Sequence, residues 1–439
     1  MNVTNKAEIK QKTSLLIWVC LLISIPIIFR DIYGISVNKY VFVLICAGAL
    51  LILDYGNSVV FYFYLLPMFS GLPGNYMRIL FLLAFIYKQK KVGFDASIFV
   101  CTALLFLFEL LHIRSATGIS QYVFWGLNLF MFVSIAMFDE NDSRASRCIV
   151  AFSISVSITF LIIFITTIKM GYLEQILYGR YRFGDFTDFA SEGYVEGVHL
   201  SLDPNYLGYF CLSSIIALFA LIDQRVLRGW KGVFLISINT AWGLFSLSRT
   251  FLLLLVLFGF CIILIQWKNQ KRFWCSIAAA AVLGLSLFLV IRQFYPDVID
   301  TLARRLVADD VTDGNGRTEL IKEYFKIFLN NPLYMLLGTG CVEMLTNTRM
   351  VQNLHCTPLE ILVGTGVEGT AIVFILVYAI IRRIKNYNAP RTRFNPDAKL
   401  NLFIHFMYLA TLPAMGNTAQ LGPLMVCVAV AKVCGRMVN

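Results

Sequence analysis

His355 stands just before Thr357-Pro358-Leu359-Glu360, a capping-box pattern with proline in the first helical turn. A histidine titrates near neutral pH and is the usual general base. A helix start beside it would offer free N–H groups and partial positive charge to an anion such as phosphate. A single histidine at such a boundary is more often structural, and both readings stand at this point. Arg249 lies in Ser246-Leu247-Ser248-Arg249-Thr250, which interrupts an apolar stretch from Val233 to Trp267. An arginine in membrane-depth sequence is costly and usually faces a partner or a polar cavity; snorkelling to the interface is the alternative. Arg180, Arg182, Arg304, Arg305, Arg317 and Arg349 gather in two long polar connections, and guanidinium groups suit bidentate phosphate contact. Asp203-Pro204-Asn205-Tyr206 opens another apolar run; its polar groups could line a cavity, and capping alone explains Asp203. His112 and His405 lie in or at the ends of apolar runs and rank lower, and His199 is a weak rival to His355.

These residues need a scaffold, and composition names its class. The 439 residues are 58% apolar and only 14% charged, against roughly 25% charged in soluble domains; mean hydropathy is +0.73. That excludes a soluble enzyme, a nucleic-acid module and a disordered scaffold. Apolar runs recur over Ser14–Phe29, Val41–Leu53, Val59–Gly71, Met77–Tyr87, Ser97–His112, Ile119–Phe138, Cys148–Met170, Leu202–Ile222, Val233–Ser248, Thr250–Trp267, Ser276–Ile291, Pro358–Ile381, Leu402–Ala414 and Leu421–Val433. A span takes about 20 residues, and the second to fourth runs are short. The expectation is an all-α polytopic membrane protein of about 12–14 transmembrane helices, one integral membrane domain over residues 1–439.

The net charge of +11 first gives orientation. With Lys6, Lys10 and Lys12 in the cytoplasm, the loops at Lys88–Lys91, Arg144–Arg147, Arg225–Lys231, Lys268–Arg272 and Arg382–Lys399 all fall on the same side. Both termini are then cytoplasmic, and the first run, lacking a small-residue cleavage site, reads as an uncleaved span. Two outer connections, about 171–200 and 293–357, are long and hold arginines against the charge rule. Long loops of this kind are usually functional or carry structure of their own. In the second, Asp313-Gly314-Asn315-Gly316 is turn chemistry. Leu320, Ile321, Tyr324, Phe325 and Phe328 then recur at helical spacing, which predicts an amphipathic helix over 317–329. Pro332 ends it, and Gly338-Thr339-Gly340 reads as a flexible turn. Asp309, Asp310 and Asp313 read as a solvated turn, and no metal-ligand cluster appears in these loops. Cys341 and Cys356 share the second loop, where an oxidising compartment would permit a disulfide between them.

Three blocks together resemble the bacterial O-antigen polymerase and O-antigen ligase superfamily. They are Leu247-Ser248-Arg249-Thr250; Asn315-Gly316-Arg317-Thr318-Glu319-Leu320 followed by Asn331-Pro332-Leu333 and Gly338-Thr339-Gly340; and Leu354-His355 with Leu359-Glu360-Ile361 and Gly364-Thr365-Gly366-Val367-Glu368-Gly369. His355 and Gly366 have ten residues between them, the family's His-x10-Gly spacing, although Cys356 stands where the family has asparagine. Arg182 to Gly193 gives an Arg-x10-Gly run. The resemblance implies a GT-C-like, inverting, metal-independent glycosyltransferase without a cofactor, in the bacterial inner membrane, with its site facing the periplasm. It implies an undecaprenyl-pyrophosphate-linked glycan as donor, membrane lipid as surroundings, a flippase and a chain-length regulator of the same pathway as partners, and no nucleic acid. In that reading His355 and Arg249 are catalytic, and Arg182, Arg317, Arg180 and Asn205 bind pyrophosphate or substrate.

The leading expectation is an O-antigen polymerase joining repeat units, preferred for the Asp203-Pro204-Asn205-Tyr206-Leu207-Gly208 segment and the appearance of the whole chain. The alternative is a ligase transferring the glycan to lipid A–core. A polysaccharide flippase has a similar span count, but its charges should line a central path within the helices rather than gather in outer loops.

Overall fold

A computed structural model describes residues 3–88, 95–137, 142–174, 183–184, 186, 199–266, 289, 292–293, 317–350, 352–387, 396–412 and 421–436. The described residues form helices and no strand: α1 (Val3–Asp31), α2 (Lys39–Ile52), α3 (Tyr55–Leu65), α4 (Gly74–Lys88), α5 (Ala96–Leu110), α6 (Ala116–Met137), α7 (Asp142–Lys169), α8 (Pro204–Asp223), α9 (Gly229–Phe245), α10 (Arg249–Gln266), α11 (Arg317–Asn330), α12 (Pro332–Leu337), α13 (Met344–Thr348), α14 (Thr357–Tyr387), α15 (Pro396–Leu409) and α16 (Leu421–Arg436). A short 3-10 turn, Leu66–Gly71, follows α3. The apolar runs fall mainly on these helices, except Ser276–Ile291, of which all but residue 289 lies outside the described residues. Five of the described helices are long and apolar enough to cross a membrane. The protein is an all-α polytopic membrane protein.

The helices group into two compact units, each discontinuous in sequence, a division that no linker signals. One comprises Met1–Gln89 and Glu140–Leu306, the other Lys90–Asp139 and Val307–Asn439. In the first unit α7 packs against α3, α8 and α9. Helix α8 is buried on nearly every side, as expected of a helix apolar all round. In the second unit α14 packs against α5, and α16 against α6 and α15, around a core that includes Trp125, Leu129, Leu376 and Ile380.

Lys88, Arg383 and Lys432 each have local work. Lys88 donates to the Leu50 and Leu53 carbonyls at the end of α2. Arg383 and Lys432 donate to the Met137 and Ile135 carbonyls at the end of α6, at 2.8 and 2.7 Å. The last carbonyls of a helix lack intrahelical partners and carry partial negative charge, so these side chains complete helix ends.

Two expectations are corrected. Cys341 and Cys356 are both free thiols: the Cys341 side chain belongs to the α5–α6 core, whereas Cys356 is half-buried beside His355. Thr357 is not a cap, because its hydroxyl donates to the Leu412 carbonyl, and the first helical turn closes from the Glu360 N–H to the Cys356 carbonyl at 2.8 Å.

Candidate functional site

In the first unit the turn before α10 is built by three successive residues. Ser246 Oγ donates to the Gly243 carbonyl at 2.6 Å, and the Phe251 N–H reaches Ser248 Oγ at 3.3 Å, closing the start of α10. Between them Leu247 is held at φ 53° while only 6% exposed. Left-handed backbone costs a leucine about 1–2 kcal/mol, so packing and the two serine bonds hold the turn in place. The Phe251 ring lies where a side chain on Gly243 would sit, which lets α9 and α10 approach closely. Arg249 opens α10 and is half-buried. Asp203 caps α8, accepting from the Asn205 N–H at 2.7 Å, and Asn205 Oδ1 accepts from Ser248 Oγ at 3.1 Å. The structure thus brings Asn205 and the Arg249 turn together, although 43 positions separate Asn205 from Ser248.

Arg30 and Asp31, at the end of α1, were not singled out in the sequence. They form a buried ion pair at 2.7 Å, 6% and 4% exposed. Asp31 Oδ1 also accepts from the backbone N–H groups of His199 and Leu200 at 2.8 and 3.3 Å. A buried charge is tolerated when it is paired and hydrogen-bonded, and here that pairing fixes the end of the first long connection. His199 itself is exposed; partial burial and the Arg30 guanidinium hold its pKa below the ordinary histidine value. Arg78, 2% exposed, lies with its guanidinium 4.3 Å from the Phe69 ring centroid. The signal available for Arg30 was an Arg-Asp pair closing an apolar run. Arg180 and Arg182 lie outside the described residues.

The second unit holds Arg317 and His355. Helix α11 buries Tyr324 and Phe328 in a small core with Met344, Leu354 and Val363, backed by Leu320, Ile321 and Leu359. Leu354 precedes His355, and Tyr324 Oη donates to the Gln352 carbonyl at 2.8 Å. Arg317, Ile321, Tyr324 and Phe328 share one helix face by their spacing, so half-buried Arg317 opens the face that packs on the His355 segment. His355 is exposed.

Beyond His355, α14 is broken. Gly366 has φ 68° and ψ −174°, separating a half-helix that starts at Thr357 from the rest. In an unbroken helix the Val363 and Gly364 carbonyls would accept from residues four positions on. Here they accept from the Thr339 and Gly340 N–H groups at 2.9 and 2.8 Å. Gly338-Thr339-Gly340 is therefore not a flexible turn but a strap laid against the break. Gly338 and Gly340 are both at φ 81°. A side chain on Gly338 would collide with the Gly364 carbonyl, and one on Gly366 with the Leu336 carbonyl, so the two glycine pairs interlock.

Chemically, the first unit presents a half-buried guanidinium at a hydrogen-bonded helix start. The second presents an exposed imidazole at the mouth of a half-helix supported from both sides. Residues 232–374 match a family model described as O-antigen ligase, a segment that contains Arg249, Arg317 and His355. The match supports the resemblance to the O-antigen polymerase and ligase superfamily and an enzyme of the glycan-transferring type, and it does not separate polymerase from ligase. No curated protein matches the sequence.

Proposed function

We propose, from the family match over residues 232–374, that the protein is an O-antigen polymerase joining undecaprenyl-pyrophosphate-linked repeat units at the periplasmic face of the inner membrane. The observation that carries this reading is that one family segment contains both a helix-opening arginine and an exposed histidine, Arg249 and His355. The acceptor sugar hydroxyl attacks the anomeric carbon of the donor and loses its proton to His355. The bond from that carbon to the pyrophosphate oxygen breaks, and undecaprenyl pyrophosphate leaves. Arg249, with Arg182, Arg317 and Arg180, takes up the charge on the departing pyrophosphate. A single displacement of this kind inverts the anomeric carbon, and Asn205 contributes to substrate binding.

The ligase reading is favoured by one observation, the description of the matched family. Deleting the gene decides between them: loss of a polymerase leaves lipopolysaccharide with one repeat unit, and loss of a ligase leaves bare core. The mechanism is tested by transfer in vitro from a defined undecaprenyl-pyrophosphate oligosaccharide. Arg249→Ala and His355→Ala should each abolish product, and wild-type chain lengths from both variants would overturn the assignment.

A further inference from the structure

We propose that Glu109 and His112 are positioning residues that fix, through the strap, the half-helix following His355; the proposal rests on the reading of His355 as the general base. Glu109 is in the last turn of α5 and 3% exposed. Its two carboxylate oxygens each accept one strap amide, Cys341 N–H at 2.9 Å and Val342 N–H at 2.6 Å. The four consecutive amides 339–342 are therefore divided in two pairs. Thr339 and Gly340 hold the carbonyls at the break in α14, and Cys341 and Val342 are held by Glu109.

His112 grips the strap one residue before those amides. Its Nε2 lies 3.1 Å from the Gly338 carbonyl and its Nδ1 2.8 Å from the Phe108 carbonyl. Carbonyls only accept, so a ring carrying both protons donates both bonds, while a neutral ring donates one. Asn347 Nδ2 adds a third link, donating to the His112 carbonyl at 3.2 Å and the Thr339 carbonyl at 2.7 Å. A side chain on Gly340 would meet His112 Cβ at 2.6 Å, so the strap has no slack against α5.

The consequence is mechanical. Loosening Glu109 frees two strap amides, and the strap in turn loosens the Val363 and Gly364 carbonyls, which end the half-helix whose start adjoins His355. A misplacement of about 1 Å in a positioned group can cost on the order of a hundredfold in rate. An apolar residue at 109 would leave two buried N–H groups unpaired, and glutamine would accept only one of them.

The test uses full-length protein with Glu109→Gln, and His112→Gln as a second variant should the first fail to accumulate. Amide hydrogen exchange is read at 339–342 and 363–366, and transfer from an undecaprenyl-pyrophosphate oligosaccharide gives kcat and KM. The expected result is faster exchange at both segments, with kcat lowered about tenfold or more and KM for the donor within about twofold of wild type. Unchanged exchange in the strap would overturn the proposal. So would faster exchange with wild-type kcat. Full transfer by His355→Ala would instead overturn the general-base reading, and exchange at 339–342 would still decide whether Glu109 holds the strap.

Discussion

Tyr324 Oη donates to the carbonyl of Gln352 at 2.8 Å, so the amphipathic helix that starts at Arg317 is tied to the backbone three residues before His355. Tyr324 is fully buried, and burial raises its pKa, which keeps the hydroxyl protonated as a donor. Its ring packs in the same small core as Leu354 and Val363. The bond therefore serves one end of the segment whose other end is fixed by the strap.

Tyr324→Phe keeps the ring and removes the bond. A hydrogen bond of this kind contributes about 0.5–1.5 kcal/mol net, and the orphaned Gln352 carbonyl adds to the loss unless water reaches it. The variant should remain folded with a melting temperature lowered by a few degrees, and should transfer glycan more slowly. Equal melting temperatures would show that Gln352 is held by other contacts.

Arg249 separates bidentate phosphate binding from simple positive charge. Lysine keeps the charge but not the planar fork. Arg249→Lys should lose most transfer activity while leaving the turn intact, since Ser246 and Ser248 make the turn's side-chain hydrogen bonds. Initial transfer rates compared with Arg249→Ala check this, and a fully active lysine variant would favour charge alone or snorkelling.

Much of the helical scaffold was legible because apolar runs separated by charged or turn-forming residues leave few alternatives in a chain this hydrophobic. The helix over 317–329 was visible from the spacing of Leu320, Tyr324 and Phe328, and it ends at Asn330 in the structure. What could not be read was long-range pairing. Asn205 and Ser248, Asp31 and His199, and Glu109 and Cys341 meet only through tertiary packing. Glu109 lies inside the apolar run Ser97–His112, where nothing in the sequence marks its partners. The break at Gly366 was hidden because glycine is tolerated inside membrane helices, and its meaning depends on a second glycine pair nearly thirty positions earlier.

The glycine interlock predicts an unequal response to alanine. Gly366 adopts a φ/ψ combination that is almost exclusive to glycine, and a side chain there would also strike the Leu336 carbonyl. Gly366→Ala should cost more than the about 1–3 kcal/mol of backbone strain alone and reduce the yield of folded protein sharply. Gly34, at φ 70° with nothing within 4 Å of an added Cβ, is the control, with a cost of about 1–2 kcal/mol. Melting temperatures of the two variants in detergent make the comparison, and equal losses would show that the strap yields.

Glu343 should make the second unit acid-sensitive. Its carboxylate accepts from the Arg114 N–H and the Ser115 hydroxyl and is 4% exposed. Burial alone would raise its pKa, but the bonds from Ser115 and Arg114, with the Arg114 charge, outweigh burial and hold it below the ordinary 4.5. A carboxyl whose folded pKa is depressed stabilises the fold above its unfolded pKa and loses that contribution as pH falls through the folded value. The melting temperature of wild-type protein should therefore decline as pH drops below about 4.5, while Glu343→Gln, already lacking the charge, should start lower at neutral pH and decline less across the same window. Parallel curves for the two proteins would assign the acid sensitivity to another carboxylate.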